Sequence, residues 1–290
     1  MATTAELVAP DPRRKSVLWR LLRLSLLIYL GIVLMFTVFE TSLVYFPSKY
    51  PQGDWSLPAD AEDASFKSAD GTELHGWFLK VPQPRAVVLF SHGNGGSIGD
   101  RSYLLDMFRK LNVSVLMWDY RGYGKSQGSP DEAGILADAR AARTWLAKHA
   151  GVPEDQIVLW GESLGGGVSV DLAQDGARGL ILENTFSSLP DVAAHHYPWL
   201  PTRTLMRNRY QSLDKIAKYR GPLLQLHGDA DSIVPFSIGR KLFDAANEPK
   251  QFVTISGGDH NDPRTMEFYR AVDGFIAGLK GPVEFGKPDE

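Results

Sequence analysis

Six short apolar runs recur between residues 86 and 255, separated by polar segments that are long enough to hold helices. The runs are continuous rather than alternating, which is typical of strands that are covered on both faces of a sheet. In one intervening segment, apolar residues from Ile135 to Leu146 follow the helical repeat. We therefore predict an α/β fold with a mostly parallel, doubly wound sheet, whose strands lie at 86–90, 113–118, 157–160, 179–182, 223–226 and 252–255.

The start of the predicted sheet has a different pattern. Two shorter stretches, 64–68 and 74–79, flank the polar turn Ala69-Asp-Gly71-Thr. Gly71 can adopt the positive φ that a tight turn between antiparallel strands requires. We predict a β-hairpin here, and hence an antiparallel start to the sheet. Later in the chain, the alternation of strands and helices is interrupted at about 187–218 by a segment rich in aromatic residues and proline.

The N-terminal region contains a long uncharged stretch. Leu24 to Phe39 are sixteen residues without a charge, and apolar character resumes after Glu40 as far as Phe46. About 20 residues are enough for a helix to span the hydrocarbon layer of a membrane. A cleaved signal peptide is the main alternative, but the residues that follow the apolar core are bulky, unlike those at a signal-peptide cleavage site. We predict a transmembrane signal anchor at 24–46.

The charges around this stretch predict its orientation. Five basic residues precede it, whereas only Lys49 lies close on the other side. Because basic residues favour the cytoplasmic side of a membrane, we expect 1–23 to be a cytoplasmic segment. A single globular domain at 47–280 would then lie on the non-cytoplasmic side, in a periplasm, a lumen or the extracellular space. We assign 281–290 as a polar tail.

Composition narrows the possible functions. The formal net charge of -3 and an isoelectric point near 6.2 leave no basic footprint for nucleic acid. The absence of cysteine excludes disulfides, metal–thiolate sites and thiol catalysis. No phosphate-loop lysine follows the glycines at 93–96, and no cluster of metal ligands is visible in the sequence. We therefore expect an activity that needs neither a cofactor nor a metal ion.

The glycine pattern around Ser163 is the first sign of chemistry. Gly161-Glu-Ser163-Leu-Gly165 lies between a predicted strand and a helix-favouring run at 168–173. In a G-x-S-x-G motif the glycines allow a sharp turn from strand to helix, which exposes the serine hydroxyl at the edge of a sheet. A second glycine-rich sequence, His92-Gly-Asn-Gly-Gly96, follows an earlier strand. We predict that Ser163 is the nucleophile of a serine hydrolase.

Candidates for an acid and a base follow the last two predicted strands. Asp229 and Asp231 both come just after 223–226, at the edge where parallel strands end together, so either carboxylate can reach the site. His260 lies in the loop after the final strand, and we predict that it is the general base. Four other histidines lack this placement and are predicted to be surface or packing residues: His75, His149, His195 and His196.

Several motifs occur together along most of the chain: Leu43-Val-Tyr-Phe-Pro47, His92-Gly-Asn-Gly95, Asp119-Tyr-Arg-Gly-Tyr-Gly-Lys-Ser126, Gly161-Glu-Ser-Leu-Gly165, His227-Gly with Asp231, and Gly258-Asp-His260-Asn-Asp262. As a set they resemble the motifs of membrane-anchored α/β-hydrolases, a group that includes single-pass esterases, lysophospholipid lipases and protein depalmitoylases. The family pattern H-G-x-x-D-x-x-V-P places the triad acid at Asp231 rather than Asp229. One departure lies at Asn184-Thr185, near which relatives often carry a proline.

The resemblance implies the α/β-hydrolase fold and acyl transfer through a covalent acyl-enzyme. Ser163 would attack, His260 would take its proton, and Asp231 would orient the imidazole. Backbone N–H groups of Asn94 and Leu164 are then expected to form the oxyanion hole. The implied substrates are ester or thioester bonds of lipid or small acyl compounds. A serine peptidase or amidase, and a non-catalytic scaffold of the same fold, remain the alternatives.

In this fold the interruption at 187–218 is expected to form a small lid over the nucleophile. Arg203, Arg207 and Arg209 are spaced so that they would share one face of a helix. That face is either solvated or in contact with lipid phosphates, since an anchor would keep the domain near a membrane. Both interpretations stay open at the level of sequence.

Overall fold

The structure, a computed structural model, describes residues 12–280. For 12–16 it describes the backbone alone. The first eleven residues of the predicted cytoplasmic segment and the predicted tail at 281–290 lie outside this range.

A long apolar helix dominates the first of two compact units, Met1–Leu43. Helix α1 (Pro12–Val38) starts before the predicted anchor, because proline is favoured at the first helical position and the basic residues that follow are good helix formers. Its segment Val17–Val38 has 22 residues, and an 18-residue stretch of it reaches a mean hydropathy of 2.3. Among residues 12–280, it is the one helix that is long and apolar enough to cross a membrane. A short helix, α2 (Glu40–Val44), follows it.

The second unit, Val44–Glu290, is built on a central sheet. It begins three residues before the predicted domain, so Val44, Tyr45 and Phe46, which were assigned to the anchor, belong to this unit. Its strands are β1 (Phe46–Pro47), β2 (Ala61–Lys67), β3 (Glu73–Leu79), β4 (Ala86–Ser91), β5 (Gly95–Gly96), β6 (Val113–Asp119), β7 (Ile157–Glu162), β8 (Gly179–Glu183), β9 (Leu223–Gly228) and β10 (Lys250–Ile255).

Eight of these strands form one sheet in the order β10-β9-β8-β7-β4-β6-β3-β2. Strands β2 and β3 form the predicted antiparallel hairpin, and Gly71 in its turn has a φ of +86°. Strand β3 also pairs with β6 in antiparallel fashion, and the remaining neighbours are parallel. The short strands β1 and β5 pair in parallel as a separate sheet. The six predicted strands of the parallel part are confirmed to within two residues at each end.

The helices of this unit within the described residues are α3 (Leu104–Lys110), α4 (Glu132–Ala150), α5 (Leu164–Ala173), α6 (Leu189–His196), α7 (Thr202–Leu205), α8 (Ser212–Ile216), α9 (Phe236–Ala245) and α10 (Met266–Gly278), and they lie on both sides of the sheet. One hydrophobic layer contains α4, α5, α8 and α9, and the other contains α3 and α10. Ile135 and Leu146 of the predicted helical repeat are fully buried in α4. Asp131 caps the start of α4 by accepting a hydrogen bond from Gly134 N, and Gly151 ends it in the left-handed conformation.

The parallel strands all point their carboxyl ends to one edge of the sheet, where binding sites of such folds are formed. The loops after β4, β7, β8, β9 and β10 therefore gather at that edge. They carry Asn94, Ser163, Asn184, Asp231 and His260, respectively. The topology thus brings residues that are far apart in the chain to one place.

The predicted interruption between β8 and β9 folds as three short helices, α6, α7 and α8. Arg203 lies in α7, whereas Arg207 and Arg209 lie beyond its end. The prediction that the three arginines share one helical face is therefore wrong, because the extended backbone of Met206 ends the helix. Arg203 Nε instead binds Asp191 Oδ1 at 2.9 Å, and Arg209 Nη1 donates to the Met206 carbonyl at 3.2 Å.

Candidate active site

Ser163 lies at a sharp turn between β7 and α5. Its φ of +52° and ψ of -115° are rare for a residue with a side chain, so the surrounding structure must hold them. A Cβ added to Gly161 would lie 2.2 Å from the Gly165 carbonyl oxygen, and one added to Gly165 would lie 2.0 Å from the Ser91 carbonyl oxygen. The two glycines of the motif are therefore needed for α5 to pack this closely against β4 and β7.

Three side chains from three loops meet at this edge of the sheet. His260 Nε2 lies 3.0 Å from Ser163 Oγ, and His260 Nδ1 lies 2.8 Å from Asp231 Oδ2. The imidazole is 8% exposed and the carboxylate is fully buried. When Nδ1–H is donated to the carboxylate, Nε2 is left as an acceptor for the serine hydroxyl proton. The structure thus brings the predicted nucleophile, base and acid together in hydrogen-bonded order.

Asp231 is held as a carboxylate by its surroundings. Its Oδ1 accepts hydrogen bonds from the backbone N–H groups of Ile233 at 2.9 Å and Val234 at 2.7 Å. On the other side, His227 Nε2 lies 3.4 Å from Oδ2. Burial opposes the charge of this carboxyl group, but hydrogen bonds with His227 and His260 outweigh burial and hold the pKa of Asp231 well below its usual range. Asp231 is therefore charged at neutral pH.

Asp229, the other candidate acid, has different contacts. Its side chain is exposed, and its Oδ1 accepts a hydrogen bond from Gly257 N at 2.6 Å. This bond ties the loop after β9 to the loop after β10. Asp229 thus caps a loop, and the carboxylate that meets His260 is that of Asp231.

The loop after β4 lies directly beside Ser163. A Cβ added to Gly93 would lie 3.6 Å from Ser163 Cβ, so the backbone that leads into Asn94 approaches the serine closely. Leu164 is the first residue of α5, and the first N–H groups of a helix have no partner within that helix. The backbone before Asn94 and the first turn of α5 therefore both lie next to the serine. The Asn94 side chain has another partner, because its Nδ2 donates to the Val44 carbonyl at 2.9 Å.

The first residues of the second unit brace this loop. Phe46 N donates to the Asn94 carbonyl at 3.1 Å, and Ser48 N donates to the Gly96 carbonyl at 3.1 Å. We call residues 44–48 the bracing segment. No sequence pattern predicted this contact, because the pairing partner is a glycine pair without a hydrophobic signal and the apolar residues before it resemble the end of the anchor.

Asn184 and Thr185 link several loops of the site. Asn184 has a φ of +46°, and its Nδ2 donates to the His260 carbonyl at 3.0 Å. Its Oδ1 accepts a hydrogen bond from Gly228 N at 3.1 Å. Thr185 Oγ1 donates to the Ser163 carbonyl at 2.7 Å. Proline could make none of these side-chain bonds, so polar bridges hold the loops together here.

Four charged side chains, which we call the Arg264 network, meet beside the serine turn. Arg264 Nη2 lies 3.2 Å from Glu162 Oε2 and 2.9 Å from Glu183 Oε2. Arg101 Nη2 lies 3.2 Å from Glu162 Oε1. Burial raises the pKa of Glu183. Burial also acts on Glu162, but the charges of the two arginines overcome it and lower the pKa of Glu162 to about 2. No motif predicted the network, because its members come from four separate segments.

The topology and the serine turn define the class of this protein. A mostly parallel sheet with an antiparallel start, a G-x-S-x-G turn after a central strand, and acid and histidine loops after the last two strands are features of the α/β-hydrolase fold. The solved structure of the Pyrococcus furiosus esterase PF2001 matches with a TM-score of 0.66 at 18% identity, over 82% of this chain and 98% of that chain. At this identity the match shows the fold.

Relatives in sequence show the family. Rv2307c of Mycobacterium tuberculosis is 40% identical over 242 residues, which are 82% of this chain and 86% of that protein. The α/β-hydrolase domain-containing protein WAV2 of Arabidopsis thaliana is 35% identical over 258 residues, 79% of this chain and 84% of that protein. The profile of the family described as serine aminopeptidase, S33, matches residues 82–207. This chain belongs to the α/β-hydrolase family.

Proposed function

We propose that this protein is a membrane-anchored serine hydrolase that cleaves carboxylic ester or thioester bonds in lipid or small acyl substrates. The observation that carries the proposal is the continuous hydrogen-bonded path from Ser163 Oγ through His260 to Asp231, with distances of 3.0 and 2.8 Å. A serine hydroxyl is a weak nucleophile until an adjacent base activates it. The buried charge of Asp231 stabilises the imidazolium that forms when His260 takes the proton.

The proposed reaction has two halves. Ser163 Oγ attacks the substrate carbonyl carbon while His260 Nε2 takes the hydroxyl proton, and the backbone N–H groups of Asn94 and Leu164 stabilise the oxyanion, each by about 3 kcal/mol. His260 then gives the proton to the alcohol or thiol as it departs, and the acyl group stays bound to Ser163 as an acyl-enzyme. In the second half, water attacks this acyl group while His260 takes a proton from the water; the bond between Ser163 Oγ and the acyl carbon then breaks, His260 returns the proton to Oγ, and the carboxylic acid is released.

A serine peptidase is the second candidate, because the matching family profile is described as a serine aminopeptidase. An aminopeptidase must bind the charged amino group of its substrate, and an unpaired carboxylate is a suitable partner for that group. Glu162 and Glu183, beside the nucleophile, are instead bound by arginines. This pairing favours a substrate without a charged amino group.

The helical interruption between β8 and β9 supports an acyl substrate. It presents large apolar side chains to solvent, with Tyr197 44% exposed, Trp199 50% and Leu205 40%. Aromatic and aliphatic side chains suit acyl chains and the membrane interface. The description of a fold neighbour as an esterase agrees with the same substrate class.

Matched esters and amides separate the two candidates. We expect the full-length protein in detergent to hydrolyse 4-nitrophenyl esters of graded acyl length. Matched 4-nitroanilides should react at least on the order of 10²-fold more slowly, because an amine leaves only after the general acid protonates it. Initial rates of nitrophenol and nitroaniline release provide the measurement, with Ser163→Ala as the blank. Faster turnover of an aminoacyl anilide with a free amino group than of any ester would replace the esterase proposal with a peptidase.

We further propose that α1 anchors the protein in a bilayer, with the second unit on the non-cytoplasmic side. The apolar segment Val17–Val38 supports this proposal by its length and by its exposed side chains. Arg20 and Arg23, together with the basic residues before them, support a cytoplasmic N-terminus. The membrane would keep the enzyme close to lipid acyl substrates.

Extraction and truncation test the anchor. We expect the full-length protein to stay with membranes in alkaline carbonate, whereas a fragment that starts at Val44 should be soluble and active. A fragment that starts at Ser48 lacks the bonds from Val44 and Phe46 to Asn94, so its ester turnover should be roughly 10-fold lower. Pelleting assays and ester kinetics on the three proteins measure both effects.

Protease added to sealed vesicles of known orientation tests on which side of the membrane the second unit lies. Cleavage of the second unit only from the cytoplasmic face would contradict the proposed orientation. A mature N-terminus located beyond Phe46 would show that the helix is a removed signal peptide. Equal turnover by the fragments that start at Val44 and Ser48 would contradict the proposed contribution of the bracing segment to catalysis.

A further inference from the structure

The Arg264 network connects two loops of the proposed site directly. Glu162 immediately precedes Ser163, at the end of β7. Arg264 follows His260 by four residues, in the loop after β10. The contact of 3.2 Å between Arg264 and Glu162 therefore joins the serine turn to the histidine loop.

The other two members of the network reach further loops. Arg101 Nη1 donates to the carbonyl groups of Gly95 at 2.9 Å and Ser97 at 3.3 Å. These carbonyls belong to the loop that carries the proposed oxyanion donor. Glu183 immediately precedes Asn184, whose side chain binds the His260 carbonyl. One group of charges thus contacts the oxyanion, serine and histidine loops together.

The histidine loop has little packing on one side. Its residues Asn261, Asp262 and Pro263 are exposed. A cavity of about 380 Å³ lies between this loop and the sheet edge, and its lining includes Gly258, Asp262, Pro263, Arg264, Glu183 and Asn184. Residues that line an open cavity have fewer protein contacts on that side than packed side chains have. Polar contacts must therefore hold the loop in place.

Arg264 is well suited to hold it. Its side chain is 9% exposed, and that of Glu183 is 11% exposed, so their attraction is screened less than that of a surface pair. Arg264 Nη2 reaches both glutamates, and its Nε lies 3.3 Å from Glu183 Oε2. A planar guanidinium can bridge two carboxylates at once, whereas a lysine ammonium is a single point charge.

We propose that Arg264 is a positioning residue that holds His260 in register with Ser163 and the oxyanion loop. The proposal rests on the proposed hydrolase function and adds a residue to it. Without Arg264, the like charges of Glu162 and Glu183 would have only Arg101 nearby, and the histidine loop would lose its ion pair to the serine turn. A displacement of about 1 Å in a reacting group can cost on the order of 10²-fold in rate.

Kinetics of two substitutions in the full-length protein test the proposal. With 4-nitrophenyl butyrate, we expect Arg264→Ala to lower kcat on the order of 10- to 100-fold while KM stays within about threefold. Arg264→Lys should restore part of kcat, and so should dilute guanidinium ion added to Arg264→Ala, because it can occupy the vacated space. Arg109→Ala is the matched control, since Arg109 binds Asp60 and Asp106 at the surface, and its kcat should be unchanged.

Glu183→Gln provides a second, nearly isosteric variant in case Arg264→Ala does not fold, and we expect kcat to fall with KM unchanged there too. An unchanged kcat in either folded variant would overturn the proposal. A higher KM at constant kcat would also overturn it, because Arg264 would then bind substrate. An equal loss of kcat in Arg109→Ala would also overturn it, because the effect would then not be specific to Arg264. No turnover by the wild-type protein would refute the proposed hydrolase function itself, and the positioning role with it.

Discussion

Ser163→Ala is expected to abolish ester hydrolysis, with a loss in kcat on the order of 10⁴-fold or more. Alanine removes the oxygen that must bond to the acyl group but leaves the backbone turn between Gly161 and Gly165 unchanged. His260→Ala should lose nearly as much, because the hydroxyl then has no base at 3.0 Å. Steady-state hydrolysis of 4-nitrophenyl esters measures both losses, and thermal unfolding verifies that each variant is folded.

Two substitutions of the same residue types, away from the site, serve as controls. Ser65→Ala changes an exposed serine on the edge strand β2, and His149→Ala changes a histidine that stacks on Trp145. Both should retain full turnover. Substantial activity in a well-folded Ser163→Ala protein would end the serine-hydrolase account.

Asp231→Asn is expected to cost on the order of 10⁴-fold in kcat at neutral pH. The amide keeps the size of the side chain but removes the charge that stabilises the His260 imidazolium, and it disfavours the tautomer that leaves Nε2 free to accept. Asp229→Asn should retain most of the activity and lose on the order of 1 kcal/mol of stability, because its carboxylate only caps the backbone N–H of Gly257. Parallel kinetic and thermal measurements on the two variants provide the comparison.

Asp229 and Asp231 are two residues apart in one loop, so the two variants test directly which of them is the catalytic acid. If Asp229→Asn were inactive and Asp231→Asn active, the assignment of the acid would be wrong by two residues. If both variants retained turnover, His260 would act without a carboxylate partner. The 2.8 Å contact between His260 Nδ1 and Asp231 Oδ2 would then not contribute to catalysis.

The sheet could be predicted well from the sequence because burial leaves a direct signal. Strands covered on both faces are apolar throughout, and β4 and β6 end within one residue of the predicted 86–90 and 113–118. The hairpin was predictable for a similar reason, because a glycine in a polar turn permits the positive φ that the structure shows at Gly71. Propensity and topology agree in these elements.

The candidate site could be predicted only in part from the residues themselves. The glycines around Ser163 and the histidine after the last strand carry local signals. The choice between Asp229 and Asp231 has no such signal, because both follow the same strand. In the structure the difference lies in the backbone N–H groups of Ile233 and Val234, which turn toward Asp231. That geometry depends on the path of the loop, so in the sequence only the resemblance to the family pattern, and not the local chemistry, separates the two acids.

Interactions between distant segments were beyond sequence reasoning. The arginine spacing at 203–209 predicted a shared face only on the assumption of one continuous helix, and α7 is too short for that. The Arg264 network has the opposite character: its members look like ordinary polar loop or strand-end residues, and their pairing appears only when the sheet brings the loops together. Charge pairs of this kind follow from topology rather than from local pattern.

Covalent labelling by a fluorophosphonate, followed by peptide mass spectrometry, tests the central claim most directly. We predict a single phosphonyl adduct on the peptide that contains Ser163 in the folded wild-type protein, and no adduct after heat denaturation or in Ser163→Ala. The reagent reports an activated serine without requiring knowledge of the natural substrate. An unlabelled wild-type protein, or an adduct on a different serine, would contradict the assignment of Ser163 as the nucleophile.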